Sequence, residues 1–200
     1  MYVIAPPSLH AEEGKWLRGV RVKTPVESVD LFVTLADLAG LPLPRQALGG
    51  ETLRPLLLPK GAVAPRKKAW ALSQWARRPS CTRSHGCLDG HGNPWQFEPD
   101  QAIMGYKLRT VEWAFIAWVH FDFGEDGDPA GKATTPDFSK VSALELYTHV
   151  GDTGDLHSGE TYEWENLAYE PEHQTTVKEL MSNLELIVKQ GLVKPMLPKA

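Results

Sequence analysis

Two hundred residues, 42% of them hydrophobic, can bury the core of one domain or of parts of two. A formal net charge of -4, with acids and bases interspersed, offers no basic face and argues against nucleic acid as a partner. The first residues lack the charged start of a signal peptide and no apolar run reaches the roughly eighteen residues of a membrane span, so neither an address nor a membrane partner is legible.

Met1 to Ala5 is a short apolar run ended by Pro6-Pro7, which reads as a buried strand cut off at its beginning. Thr24-Pro25-Val26-Glu27 has the form of a capping box with proline at the first helical position, and predicts that a helix follows. Val29, Phe32, Leu35, Ala36 and Ala39 share one face of that helix, expected to pack on a core, and Gly40 with Pro42 stops it. The aperiodic leucine, proline and glycine stretch from Pro55 to Pro65 marks a boundary between a first unit, residues 1–60, and a second, residues 65–200.

The second unit reads mostly as sheet. Strands are expected at Lys68 to Trp75, Ala102 to Thr110, Ala114 to Phe121 and Ala143 to His149, with Val111-Glu112-Trp113 reversing the chain between the middle two. In the third strand, Phe115, Ala117, Val119 and Phe121 alternate with Ala114, Ile116, Trp118 and His120, so both faces are largely apolar and the strand belongs in the middle of the sheet. Met104, Tyr106, Trp113, Trp118 and Tyr147 lie on or beside these strands and read as packing rather than as a cofactor box. Pro171 opens a last helix whose Val177, Leu180, Met181, Leu184, Ile187 and Val188 form a stripe suited to covering the sheet, with Gly191 and Pro195 closing it. Polar loops run from Phe123 to Pro136 and from Gly151 to Glu163; Asp126-Gly127-Asp128 in the first lacks the remaining ligand spacing of a calcium loop and reads as a solvated turn.

Taken in order, several segments resemble the C-terminal third of the sulfatases, most closely the iduronate-2-sulfatase branch. They begin with Tyr2-Val3-Ile4-Ala5-Pro6, Val29-Asp30-Leu31-Phe32-Val33-Thr34-Leu35, Leu38-Ala39-Gly40-Leu41 and Gly50-Glu51-Thr52-Leu53-Arg54-Pro55-Leu56-Leu57. More specific are Ser73-Gln74-Trp75 with Arg78-Pro79, Ile103-Met104-Gly105-Tyr106 with Leu108-Arg109-Thr110, Trp118-Val119, Glu145-Leu146-Tyr147 and Glu165-Asn166-Leu167-Ala168. The resemblance implies an α/β to α+β fold: the end of an alkaline-phosphatase-like α/β domain, then a small antiparallel sheet packed on a C-terminal helix. From Gly151 to Trp164 the loop is longer and more acidic than the family pattern, with Thr148 and Gly154 where an acid and a proline are usual.

Sulfatases hydrolyse sulfate esters with a formylglycine made from the cysteine of a Cys-x-Pro-Ser-Arg motif and with a calcium ion held by acidic pairs. This chain contains no such motif and no Asp-Asp, Asp-His or Asp-Asn dipeptide, and Cys81-Thr82-Arg83-Ser84 lacks the proline and serine in place. The expectation is therefore a chain inactive alone, with no cofactor of its own. Formylglycine and Ca2+ would belong to a full-length parent, lysosomal or secreted, whose N-terminal catalytic domain is the missing partner. Cys81 and Cys87 leave open a local disulfide, free thiols, or a zinc site with His85 and His91; the disulfide is favoured because the zinc spacing is unusual and a secreted sulfatase would oxidise its thiols.

The expected contact with a sulfated saccharide is the loop from Gln74 to Trp95. Arg78 can grip a carboxylate or sulfate through two parallel N–H bonds, Trp95 can stack on a sugar ring, and His91, with Arg77, Arg83 and His85, makes the loop locally basic. Pairing of Arg78 with a nearby acid and gap-filling by Trp95 are the alternatives. If the chain is part of a sulfatase, an apolar surface on Val3, Ile4, Phe32 and Leu35 should lie exposed; if it is a standalone noncatalytic polysaccharide-binding module or a relic, its surface should be well covered.

Overall fold

The structure, a computed structural model, describes residues 21–58, 64–65, 67–77, 103–121, 136–152 and 162–193. The chain divides into two compact units, and the division falls between Ala71 and Leu72. The strand expected at Met1 to Ala5 and the turn at Asp126-Gly127-Asp128 lie outside the described residues.

The first unit is built on helix α1, Val29–Leu38, and a single helical turn, α2, Arg54–Leu57. The capping box does not form: Ser28 stands at the N-cap with helical dihedrals and no side-chain cap bond. Glu27 is instead occupied elsewhere, its carboxylate pairing with Lys68 while its N–H donates to Asp30 Oδ2 at 2.9 Å. At the other end the expected stop is present. Gly40, at φ 65°, lets Leu41 N–H reach the Ala36 carbonyl at 2.9 Å and Gly40 N–H the Asp37 carbonyl at 3.2 Å, which closes the helix in a Schellman motif.

The face that α1 buries is a correction to the expected one. Asp30, Val33, Thr34 and Ala36 are buried, whereas Val29, Phe32 and Leu35 stand 55%, 56% and 65% exposed and Ala39 is exposed too. The polar residues of α1, Asp30, Thr34 and Asp37, share the side that meets residues 50–54, so hydrogen bonding rather than apolarity selected the face. Asp30 Oδ1 accepts Glu51 N–H at 2.9 Å, and Thr34 Oγ1 accepts Leu53 N–H at 2.9 Å while donating to the Asp30 carbonyl at 2.7 Å. These bonds draw residues 50–53 onto the helix so closely that a Cβ on Gly50 would meet the Val29 carbonyl oxygen at 2.1 Å, and they set Leu53 into the core. Asp37 completes the seam by accepting from Thr52 Oγ1 at 2.7 Å and pairing with Arg54 at 3.2 Å.

The second unit is a four-stranded sheet in the order β1, Ala71–Arg77; β2, Ile103–Arg109; β3, Trp113–Phe121; β4, Pro136–Thr148. β2 pairs antiparallel with β3 from Ile103 opposite His120 to Arg109 opposite Ala114, and β3 pairs antiparallel with β4. Thr110 N–H donates to the Trp113 carbonyl at 2.8 Å, making the expected tight reversal. β1 starts later than the sequence indicated, because the Lys68 N–H is taken by the Glu51 carboxylate at 3.0 Å. β4 starts earlier, at Pro136, because its polar first half pairs across a bulge at Val119 and His120 and needs no apolar alternation.

One sheet face carries Met104, Tyr106 and Leu108 of β2, Phe115, Ala117 and Val119 of β3 and Leu146 of β4, all buried. Helix α3, Gln174–Val193, follows a 3-10 turn at Pro171–His173 and lays Val177, Leu180, Leu184 and Val188 on it. Each such side chain removed from water contributes on the order of 1.5–3 kcal/mol. Gly191 does not close α3; the helix runs through it to Val193. The architecture is thus the expected small sheet, with antiparallel pairing in β2 to β4, packed on a C-terminal helix.

Candidate functional site

The opposite face of the sheet carries every charged network of the second unit described below. Strand parity places Gly105, Lys107 and Arg109 of β2, Ile116 and Trp118 of β3, and Glu145 and Tyr147 of β4 there together. Trp118 lies flat over Gly105, where a Cβ would meet its ring carbons at 2.5 to 2.9 Å. Its indole N–H donates to Glu145 Oε1 at 2.6 Å, and the Tyr147 hydroxyl donates to Glu145 Oε2 at 2.7 Å. Burial, then the bond to Glu145 and that carboxylate's charge, push the Tyr147 hydroxyl up to about 12.

Beside this lies a chain of alternating acids and bases. Lys107 Nζ donates to both oxygens of Glu163, at 2.6 and 2.8 Å; Glu163 Oε1 lies 3.1 Å from His149 Nε2. His149 Nδ1 lies 2.8 Å from Asp152 Oδ2, which is 3.5 Å from Arg109 Nη2. Arg109 also donates to the Thr110 carbonyl. Burial alone would push the Glu163 carboxyl up, but the bonds and charges of Lys107 and His149 together hold it below the ordinary carboxylate value. Glu163 has φ 67°, a left-handed conformation that costs a residue with a Cβ about 1 kcal/mol, and the two bases that grip its carboxylate offset that strain.

Arg78, His91, Trp95, Cys81 and Cys87 lie outside the described residues. Of the aromatic set read as packing, Met104 and Tyr106 are core residues, and Trp113 makes an edge contact with His173, ring centroids 5.5 Å apart. Trp118 and Tyr147 differ in that both are tied to Glu145. Sequence reasoning missed the assembly of Lys107, Arg109, His149, Asp152 and Glu163. Its one sequence signal was the acidic departure after Tyr147, which carries no spacing that names its partners.

Chemically the face is self-neutralising: each base named has a carboxylate partner, so none of these cations is offered whole to an anionic ligand. Among the described residues no group of three or more His, Cys, Asp or Glu converges on a metal position, and no helix is long and apolar enough to cross a membrane.

No family model matches the chain, and no curated protein matches it. Among solved structures it is similar to a protein from Bacteroides thetaiotaomicron VPI-5482 that carries a sulfatase designation, with 20% identity, a TM-score of 0.44, and coverage of 80% of this chain and 24% of that one. A second, described as a 2-O GAG sulfatase, is similar to the same degree, 20% identical with a TM-score of 0.44, over 80% of this chain and 24% of the other. The chain thus spans about a quarter of the length of the structures it resembles.

Proposed function

We propose that this chain is the C-terminal portion of a sulfatase of the iduronate-2-sulfatase type, the noncatalytic part of a sulfuric ester hydrolase acting on sulfated glycosaminoglycan or polysaccharide. The observation that supports this reading is that the resemblance residues on β2, β3 and β4 and at Asn166, all in the second unit, are joined by direct contacts. Gly105 makes room for Trp118, Trp118 is held by the Glu145 of Glu145-Leu146-Tyr147, and Leu108-Arg109-Thr110 closes the hairpin. Asn166 ties the last motif to the same strand: its Oδ1 accepts Leu146 N–H at 3.0 Å and its Nδ2 donates to the Leu144 carbonyl at 3.0 Å.

In that reading the formylglycine and Ca2+ are supplied by residues outside this chain, in a lysosomal or secreted enzyme. The chain's own contribution is contact with the saccharide through Arg78, His91 and Trp95, in a loop braced by a Cys81 to Cys87 disulfide. The committed state of Lys107 and Arg109 favours placing anion recognition on that loop rather than on the sheet face.

Two experiments test the proposal. In-frame translation of the transcript upstream of Met1 should reveal a Cys-x-Pro-Ser-Arg motif and an Asp-Asp pair; an immediate stop codon or an unrelated domain overturns the reading. The purified chain should bind heparan or dermatan oligosaccharides without releasing sulfate, and Arg78→Ala should weaken that binding severalfold. Sulfate release would refute the noncatalytic assignment, and equal binding by the variant would remove Arg78 from the site.

A further inference from the structure

His149 sits between two carboxylates. Its side chain is 9% exposed, its ring stacks on Tyr162 at 5.3 Å and 10°, and each ring nitrogen faces a different carboxylate, Asp152 at 2.8 Å and Glu163 at 3.1 Å. A neutral imidazole has one N–H, so it can donate to only one of them and sets a lone pair against the other; the imidazolium donates to both.

We propose that His149 is an acid-closed clasp: with both ring nitrogens protonated it ties the turn carrying Tyr162, Glu163 and Trp164 to the end of β4, and on losing one proton it lets one side go.

The surrounding charges make the clasp reversible. Lys107 and Arg109 from β2 already pair with Glu163 and Asp152, so the two carboxylates stay balanced when His149 is neutral, and opening strands no charge in a dry interior. Other titratable groups near it include Tyr147 of β4, two residues before it, Tyr162 against its ring and, at the β2–β3 hairpin, Glu112, whose carbonyl accepts the His149 main-chain N–H at 2.6 Å. That backbone bond holds the His149 main chain in place in either protonation state, and of the ring's two contacts the longer, to Glu163 at 3.1 Å, is the one given up, so the proton acts on the turn and not on the strand. The adjoining segment is separately anchored: Leu167 N–H donates to the Leu146 carbonyl at 2.8 Å and Asn166 bridges β4, so opening is confined to residues before Asn166. Trp164, 79% exposed on that turn, is an environment-sensitive reporter beside the clasp. Acid limits the closed state at the other end, because the Glu163 carboxyl is held low: its bonds are present above the ordinary carboxylate range and lost as pH falls through its depressed value. The clasp is therefore closed while His149 carries both ring protons and Glu163 is still ionised. None of this depends on the sulfatase reading.

The test is amide hydrogen exchange of the full 200-residue chain as a function of pH, corrected for intrinsic rates, with the His149 ring followed by NMR in the same samples. Protection of the 162–165 amides should rise roughly tenfold on acidification, the factor that one charge-assisted hydrogen bond supplies, and its midpoint should coincide with the His149 ring titration. The same change should vanish in His149→Gln, while protection at 167–169 stays. Protection of the turn that is independent of pH, or that changes equally in His149→Gln, overturns the proposal. Should the variant fail to fold, the wild-type ring decides alone, because a single ring N–H at every pH, or a midpoint that does not match the turn's, also overturns it.

Discussion

Gly105 shows how a single missing Cβ organises a face. The indole of Trp118 occupies the space above it, and only in that position does the indole N–H meet Glu145 and, through it, Tyr147. Gly105→Ala is expected to push the ring aside, break the bond to Glu145 and cost about 1–3 kcal/mol, since overpacking here cannot be relieved without losing a part-buried polar contact. The urea midpoint of the variant checks this, and an unchanged midpoint would mean the ring moves freely. Asp30 makes the opposite point for a polar side chain. Fully buried, it accepts a backbone N–H on each oxygen, from Glu27 and Glu51, with Lys68 Nζ 3.9 Å away. Asp30→Asn keeps the shape but turns an N–H2 toward one of those donors, so thermal unfolding of the first unit should shift down by about 1–3 kcal/mol. A midpoint equal to wild type would show that residues 50–53 are held to α1 by packing alone.

At the scale of elements, what the sequence made legible was whatever rests on period and on termination. The alternation in β3, the stripe of α3 and the glycine stop of α1 all appear where residue pattern placed them, because burial of a repeated apolar face and a left-handed residue are local causes. The buried face of α1 was not legible: Asp30 and Thr34 enter the core only because backbone N–H groups some twenty residues downstream require acceptors, and no local pattern announces that demand. The first half of β4 was hidden for a similar reason, since its place is set by pairing across a bulge. The charged cluster was least legible of all. Lys107 and Glu163 lie 56 positions apart and are joined by the register of β2 with β3 and β4, which fixes the face but leaves no mark in the residues between. The capping box failed by competition: Glu27 found a stronger, charged partner in Lys68 than the backbone N–H a box would have offered.

For the whole molecule, the exposed side of α1 connects structure to the proposed origin of the chain. Val29, Phe32 and Leu35 project from the first unit while its hydrogen bonds are satisfied on the other side. The helix is therefore stable without them, and their exposure is a surface feature rather than a packing defect. Exposed Phe32 and Leu35 are what the proposed sulfatase reading expects at the edge of a larger α/β domain. The consequence is measurable as a difference between two lengths of the protein. In the 200-residue chain, Phe32→Ser combined with Leu35→Ser should reduce binding of a hydrophobic dye and leave the thermal midpoint unchanged, because neither residue is buried. In a chain extended upstream through the proposed catalytic domain, dye binding should already be low, and the same pair of substitutions should now destabilise by about 2–5 kcal/mol, the cost of removing packed side chains. A loss of stability in the short chain would show that the face is covered without any further domain, and would count against the sulfatase reading as a whole.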